Sequence, residues 1–228
     1  MDSGDSTGRT DGVRAWLRGL EVFAGPLAYF DPTTAPADPV GLFLDWLREA
    51  VAAGVPDAHA MTLSTVAEDG GPDARVLFLK NVDGAGWQFA AHARSPKGRQ
   101  LAVRPHAALT FYWPLLGRQV RVRGTVEPAP ADQSSADLLA RSVSARAEVE
   151  LGRQSEHLKS AEERDLALRE ALARIESDPA PGSQQWTLYT LSPAHIEFWQ
   201  ADKSRLHKRL RYERTDPADP WQRHMLWP

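Results

Sequence analysis

The stretch MTLSTVAEDGGPDARVLFLK, residues 61–80, decides the architecture. On both sides of EDGGP the side chains alternate with a period of two. Arg75, Leu77 and Leu79 share one face; Val76, Phe78 and Lys80 share the other. This reads as two strands joined by a turn at Glu68–Pro72. The same period recurs on either side. WQFAAH (87–92) makes a third strand after a turn at Asp83–Gly86, and HAALTFYWP (106–114) a fourth. RQVRVRGTVEP (118–128) is a fifth, with Gln119, Arg121 and Arg123 set against Val120 and Val122. WTLYTLSPAHIEFWQ (186–200) and RLHKRLRYER (205–214) read as two more around an Ala201–Ser204 turn, and WQRHMLWP (221–228) as the last. Strands at this density predict an antiparallel sheet or barrel rather than βαβ units.

Helical spacing frames the strands. Asp38 is a natural N-cap, with Pro39 at the first helical position and Leu42, Phe43, Trp46, Leu47 and Ala50 on one face. Gly54 is the stop. SPKGRQLAVRP predicts a short helix capped by Ser95, and residues 131–176 are helical again, broken by SDPAPGS. No repeat or linker divides the chain. One α+β, mainly β domain over 31–228 is expected, with 1–30 as a flexible N-terminal arm and the polar, Gly/Asp-rich first dozen residues disordered.

Composition narrows the function. The 228 residues are 42% hydrophobic and 25% charged with a formal net charge of -3, which argues against a nucleic-acid partner driven by a global basic field. Cysteine is absent, so thiolate metal sites and cysteine nucleophiles are excluded. No apolar run approaches the roughly 20 residues that cross a bilayer. The N-terminus lacks the basic-then-apolar order of a signal peptide, so a cytoplasmic protein without a membrane partner is expected. GxGxxG, GxxxxGK[ST], HExxH and GxSxG are all missing, and the seven histidines have no metal-ligand spacing, so no metal is expected. What remains is a set of cations on or beside strands: Arg75, Lys80, Lys97, Arg118, Arg205, His207 and Arg209. If 205–214 is extended, Arg205, His207 and Arg209 point the same way, as in an anion site. A solvated face explains them equally well. Arg75 and Lys80 are either snorkelling strand ends or handles for a phosphorylated ligand.

Taken together, RVLFLK (75–80), SPKGRQL (95–101), FYWPLLGRQVRVRG (111–124), GRQSEHL (152–158) and EFWQADKSRLHKRLRYER (197–214) resemble the pyridoxine/pyridoxamine 5'-phosphate oxidase family, including its phenazine-biosynthesis branch. The resemblance implies an antiparallel split β-barrel of six to eight strands with flanking helices. It also implies a homodimer with FMN at the interface and an oxidase passing a hydride from substrate to FMN, reoxidised by O2. By the same resemblance, Arg75 and Lys97 hold the FMN phosphate. Gln119, Gln154, Ser155, Trp199 and Arg209 contact the rest of the flavin, and Lys80 reaches both cofactor and substrate. Arg141, Arg205 and His207 grip a phosphorylated pyridine, with Arg205 stabilising charge at the reacting carbon and His207 orienting the ring.

The match is lopsided. Asp137 stands where the family has a tyrosine and Ala145 where it has a serine, both at substrate-phosphate positions. Pro96 replaces an arginine and Lys208 an aspartate, and no N-terminal Arg/Tyr covering motif is found. A carboxylate where a phosphate sits is electrostatically wrong. Three readings follow: a pyridoxine/pyridoxamine 5'-phosphate oxidase making pyridoxal 5'-phosphate, a secondary-metabolism FMN oxidase acting on an aromatic carboxylate, or a flavin- or heme-binding protein without turnover. Trp87, Trp113 and Trp186 read as packing residues, and Arg211 and Arg214 as solvated.

Overall fold

The computed structural model describes residues 6–178 and 185–228; the first five residues and most of SDPAPGS lie outside the described residues. The strands are β1 (Ala60–Val66), β2 (Pro72–Phe78), β3 (Asn81–Asp83), β4 (Gly86–His92), β5 (His106–Trp113), β6 (Arg118–Pro128), β7 (Trp186–Gln200), β8 (Lys208–Glu213) and β9 (Gln222–Met225). They form one antiparallel sheet in the order β2-β1-β5-β6-β7-β4-β3, with β8 joined to β7 and β9 to β8. The short β3 occupies a stretch that reads as turn. The strand expected over 205–214 begins only at Lys208, so Arg205 and His207 lie in the preceding loop.

β7 organises the sheet. One of its edges pairs with β6 throughout. Its other edge pairs with β4 over Trp186–Leu191 and then with β8 over His195–Gln200. The change of partner falls at Pro193, which has no N–H to give a ladder. Beside it the β6 register slips between Arg123 and Gly124. The slip needs glycine, because a Cβ on Gly124 would lie 1.9 Å from the Ser192 carbonyl oxygen. Such a bulge bends a strand and increases its twist. Here the sheet curls until β2 and β4, with four strands between them in the order, line one cleft.

The interior of the curl is filled from one helix. Helix α2 (Pro39–Ala52) starts as expected: Asp38 accepts hydrogen bonds from the Val40 and Gly41 amides, and Pro39 is the first residue. Its apolar face then enters the sheet. Phe43, fully buried, packs against Trp87 at 5.5 Å and Phe111 at 4.9 Å, and Trp46 against Phe30 and Phe198 at 5.0 and 5.1 Å. Burial of each such ring is worth about 1.5–3 kcal/mol, so α2 is the plug around which β4, β5 and β7 close.

The remaining helices are peripheral. Helix α1 (Ser6–Arg18) lies within the arm expected for 1–30, and after it Leu27, Tyr29 and Phe30 contact the folded domain. Helix α3 (Pro96–Val103) is capped by Ser95 as predicted. Helix α4 (Ala131–Leu139) docks on β7 where the Leu188 amide donates to Ser134 Oγ at 3.0 Å. Helices α5 (Val143–Leu151) and α6 (Ala161–Ser177) share a small core around Ala147, Ala171 and Ile175.

The bulge is testable. Gly124→Ala forces a methyl into the Ser192 carbonyl and should cost about 1–3 kcal/mol, the usual range for overpacking. Urea unfolding should show a lowered midpoint at unchanged slope, and wild-type stability would contradict this account of the bend.

Candidate functional site

The cleft between the curled edges measures about 310 Å³ and brings together four of the cations and amides singled out from sequence: Lys80, Lys97, Arg141 and Gln154. Lys97 is the centre. It sits one residue into α3, held there by the Ser95 cap and by Gly98, whose Cβ would meet the Ala93 carbonyl oxygen at 2.2 Å. The side chain is buried, 6% exposed, and its ammonium donates to the neutral Gln154 Oε1 at 2.6 Å. Burial and then the neighbouring Arg75 guanidinium push the Lys97 pKa down, while Asp73 opposes them. Arg75, on β2, does not itself line the cleft but lies near enough to Lys97 to act on its charge. Its guanidinium is braced by Asp73 at 2.5 Å and Thr65 Oγ1 at 2.6 Å. Gln100 ties the cluster together by donating to Asp73 at 2.9 Å, and this bond leads the causes that lower the Asp73 pKa. Two converging cations, one of them buried against a neutral amide, are the donor set that a phosphate monoester requires.

The other end of the cleft differs from the sequence expectation. Lys80, at the junction of β2 and β3, makes an ion pair with Asp137 of α4 at 3.3 Å. The other Asp137 oxygen accepts from the Trp186 indole N–H at 2.7 Å. The Arg141 guanidinium carbon lies over the same indole, 4.5 Å from the ring centroid, and its Nε is buried without a hydrogen-bond partner. Trp186 therefore lines the cleft rather than packing in the core, unlike the fully buried Trp87 and Trp113. Glu148 and His92 complete this wall. Burial, then Arg94 and Lys97, lower the His92 pKa, which favours the neutral ring.

A second group of the expected residues lies elsewhere on the sheet. Gln119, Trp199 and Arg209 stand side by side across β6, β7 and β8. His207 packs on Trp199 with ring centroids 4.9 Å apart. His207 Nδ1 accepts from the Asp202 amide at 3.1 Å, which leaves the ring proton on Nε2. Arg205 closes the same loop with a positive φ of 68°. Its guanidinium forms no ion pair among the described residues. The shared strand face expected for Arg205, His207 and Arg209 is thus corrected: a loop, not a pleat, presents the first two. None of these five residues lines the cleft. Trp186 and Trp199 are 13 positions apart on β7, on the order of 40 Å of extended strand at about 3.3 Å per residue.

Several cations prove structural. Arg209 makes a double contact with the buried Glu197, at 2.9 and 2.7 Å, and donates to the Trp227 carbonyl. Arg211 lies 3.7 Å from the same carboxylate, and Arg214 stacks over Trp221 while donating to the Pro217 carbonyl. Arg118 is buried against Glu49, Gln200 and the Trp46 ring. Ser155, in the left-handed region at φ 72°, is exposed beside Gln154. Sequence reasoning missed Trp186, Glu148 and His92 as cleft residues. The misplaced carboxylate at 137 was the available signal for Trp186; no pattern marks the other two.

Comparisons with known proteins agree with this geometry. The family model described as pyridoxamine 5'-phosphate oxidase matches residues 47–200, and that of the pyridoxine 5'-phosphate oxidase C-terminal dimerisation region matches 186–228. A relative named pyridoxine/pyridoxamine 5'-phosphate oxidase from Rhodopseudomonas palustris (strain BisA53) is 39% identical over 195 residues, 86% of this chain and 92% of that protein. One of the same name from Thermosynechococcus vestitus is 43% identical over 197 residues, 85% of this chain and 90% of that protein. Among solved structures, PhzG from Burkholderia lata 383, in complex with tetrahydrophenazine-1-carboxylic acid, superposes with a TM-score of 0.82 at 30% identity, covering 90% of this chain and 100% of its own. A pyridoxamine 5'-phosphate oxidase-related, FMN-binding protein from Nostoc punctiforme shares the fold, with a TM-score of 0.67 at 20% identity over 87% of this chain and 100% of its own. With both family models matched and relatives of this identity along most of its length, the chain belongs to the pyridoxamine 5'-phosphate oxidase family.

Proposed function

We propose that this protein is an FMN-dependent oxidase that works as a homodimer and oxidises a small aromatic substrate. The observation that carries the reading is Lys97, a buried ammonium with a neutral partner and an arginine beside it. A bound anion would offset the cost of burying that ammonium. The residues fit the monoester of FMN: Lys97 and Arg75 supply charge, and Gln154 borders them. Bound FMN would accept a hydride from the substrate and pass both electrons to O2, giving hydrogen peroxide.

The rest is positioning. Trp199 and His207 form an aromatic corner, and the Nε2 proton of His207 is available to a ring oxygen or nitrogen of the substrate. Arg205, on the same loop, would stabilise negative charge developing near the reacting carbon. Because this corner and the cleft are different parts of one chain, the reading places each complete site between two subunits. Two features support that assembly. One is the match of 186–228 to a dimerisation region. The other is a set of exposed apolar side chains, Tyr112 together with Val76 and Phe78 at the edge of the cleft, each at least half exposed.

Two substrates compete. Lys80, Arg141 and the names of the curated relatives support pyridoxine or pyridoxamine 5'-phosphate, with pyridoxal 5'-phosphate as product. The Lys80–Asp137 ion pair and the ligand of the PhzG neighbour support an aromatic carboxylate. The geometry favours the second.

Purified protein should take up one FMN per chain and elute as a dimer. Lys97→Met should weaken FMN binding at least tenfold, about 1.4 kcal/mol, by fluorescence titration; unchanged affinity would contradict the phosphate assignment. Co-expressed Lys97→Met and Trp199→Ala chains should regain one tight FMN per heterodimer, since one of its two sites is intact. No recovery would exclude the shared site.

A further inference from the structure

We infer that Asp137 sets the charge of the substrate. By holding Lys80 it closes the cleft's outer anion subsite to a phosphomonoester, and it leaves Arg141 as the anchor for one planar carboxylate on an aromatic molecule. The inference rests on the oxidase reading above and names the substrate class of that site.

Asp137 is not a loose surface carboxylate that a ligand could push aside. Its α4 backbone is docked on β7 through Ser134 and Leu188, and its side chain is 15% exposed. One oxygen is bound by Lys80 at 3.3 Å and the other by the Trp186 indole N–H at 2.7 Å, so both are committed within the wall. A phosphate dianion entering here would meet a fixed negative charge and find its lysine already neutralised. Nor is there a replacement donor. Ala145 has no hydroxyl, and its amide donates to the Ser142 cap at 3.3 Å. With Glu148 also on the wall, the outer end holds two cations, Lys80 and Arg141, against two carboxylates.

Arg141 is the exception to this neutralisation. Among the described residues it has no carboxylate partner, its Nε is buried and unpaired, and the Trp186 ring lies 4.5 Å from the guanidinium carbon. A planar guanidinium fork matches a carboxylate in the bidentate mode, which needs only one unit of negative charge. The same indole thus fixes both outcomes: its N–H holds the carboxylate that excludes phosphate, and its face holds the cation that accepts a carboxylate.

Calorimetric titration distinguishes these roles, run on the dimer with and without added FMN so that loss of flavin binding is seen separately. Pyridoxine 5'-phosphate and pyridoxine differ only in the phosphate. The wild-type protein should bind them within about threefold of each other, whereas Asp137→Asn, and independently Asp137→Tyr, should favour the phosphate form by tenfold or more. Phenazine-1-carboxylate should bind the wild type, lose at least tenfold in Arg141→Met and change little in Lys80→Met. A wild-type preference of tenfold for pyridoxine 5'-phosphate, or carboxylate binding absent in the wild type or indifferent to Arg141, would overturn the inference. If FMN fails to bind while the ligand ratios follow this pattern, the cofactor reading falls and the Asp137 assignment stands.

Discussion

A lysine ammonium buried against a neutral amide is the constraint on which the site depends. Lys97 could have been neutralised by an acid, as Lys80 is by Asp137, but it donates to Gln154 instead. Taking a charge out of water costs several kcal/mol unless a counter-charge compensates. The nearest carboxylate, Asp73, is paired with Arg75, and several features of the fold hold Lys97 in place. Ser95 caps the helix that carries it, and Gly98 lets that helix approach the Ala93 backbone. Arg75 is held alongside by Thr65, Asp73 and Gln100. An anion-binding cleft explains why these devices converge on one side chain; a purely structural role would have been met by an apolar residue.

The second constraint is the long strand β7. Its change of partner from β4 to β8 at Pro193 curls the sheet and makes the cleft. It also carries the Trp199 corner away from that cleft. The cleft meets this strand at its first residue, Trp186, and the aromatic corner meets it near its end, at Trp199. The family model of residues 186–228 describes a dimerisation region, and the proposed two-subunit site would bridge that separation.

Much of this was legible in the chain. The period-two runs at 61–66 and 118–126, the Asp38–Pro39 and Ser95 caps and the helical 131–176 all appear where residue chemistry puts them, because these signals are local. The cleft residues Lys80, Lys97, Arg141 and Gln154 were reached through motif resemblance, and the fold brings them together. What failed depended on tertiary partners. Alternation predicts a strand through Arg205, but the Asp202 turn captures His207 and forces a left-handed Arg205. The ion pairs of Arg118 with Glu49 and of Arg209 with Glu197 were likewise not legible in the sequence. Asp137 was visible as a misplaced charge; that Trp186 and Lys80 fix it in place was not.

The most direct measurement is the titration of the Lys97 side chain by nuclear magnetic resonance in lysine-labelled protein, without and with FMN. Burial and Arg75 favour the neutral amine, so its pKa in the flavin-free protein should lie below that of an ordinary lysine. A bound phosphate favours the ammonium, so FMN should move it upward. An ordinary value in the free protein that FMN leaves unchanged would contradict the claim that Lys97 is a buried cation awaiting an anion.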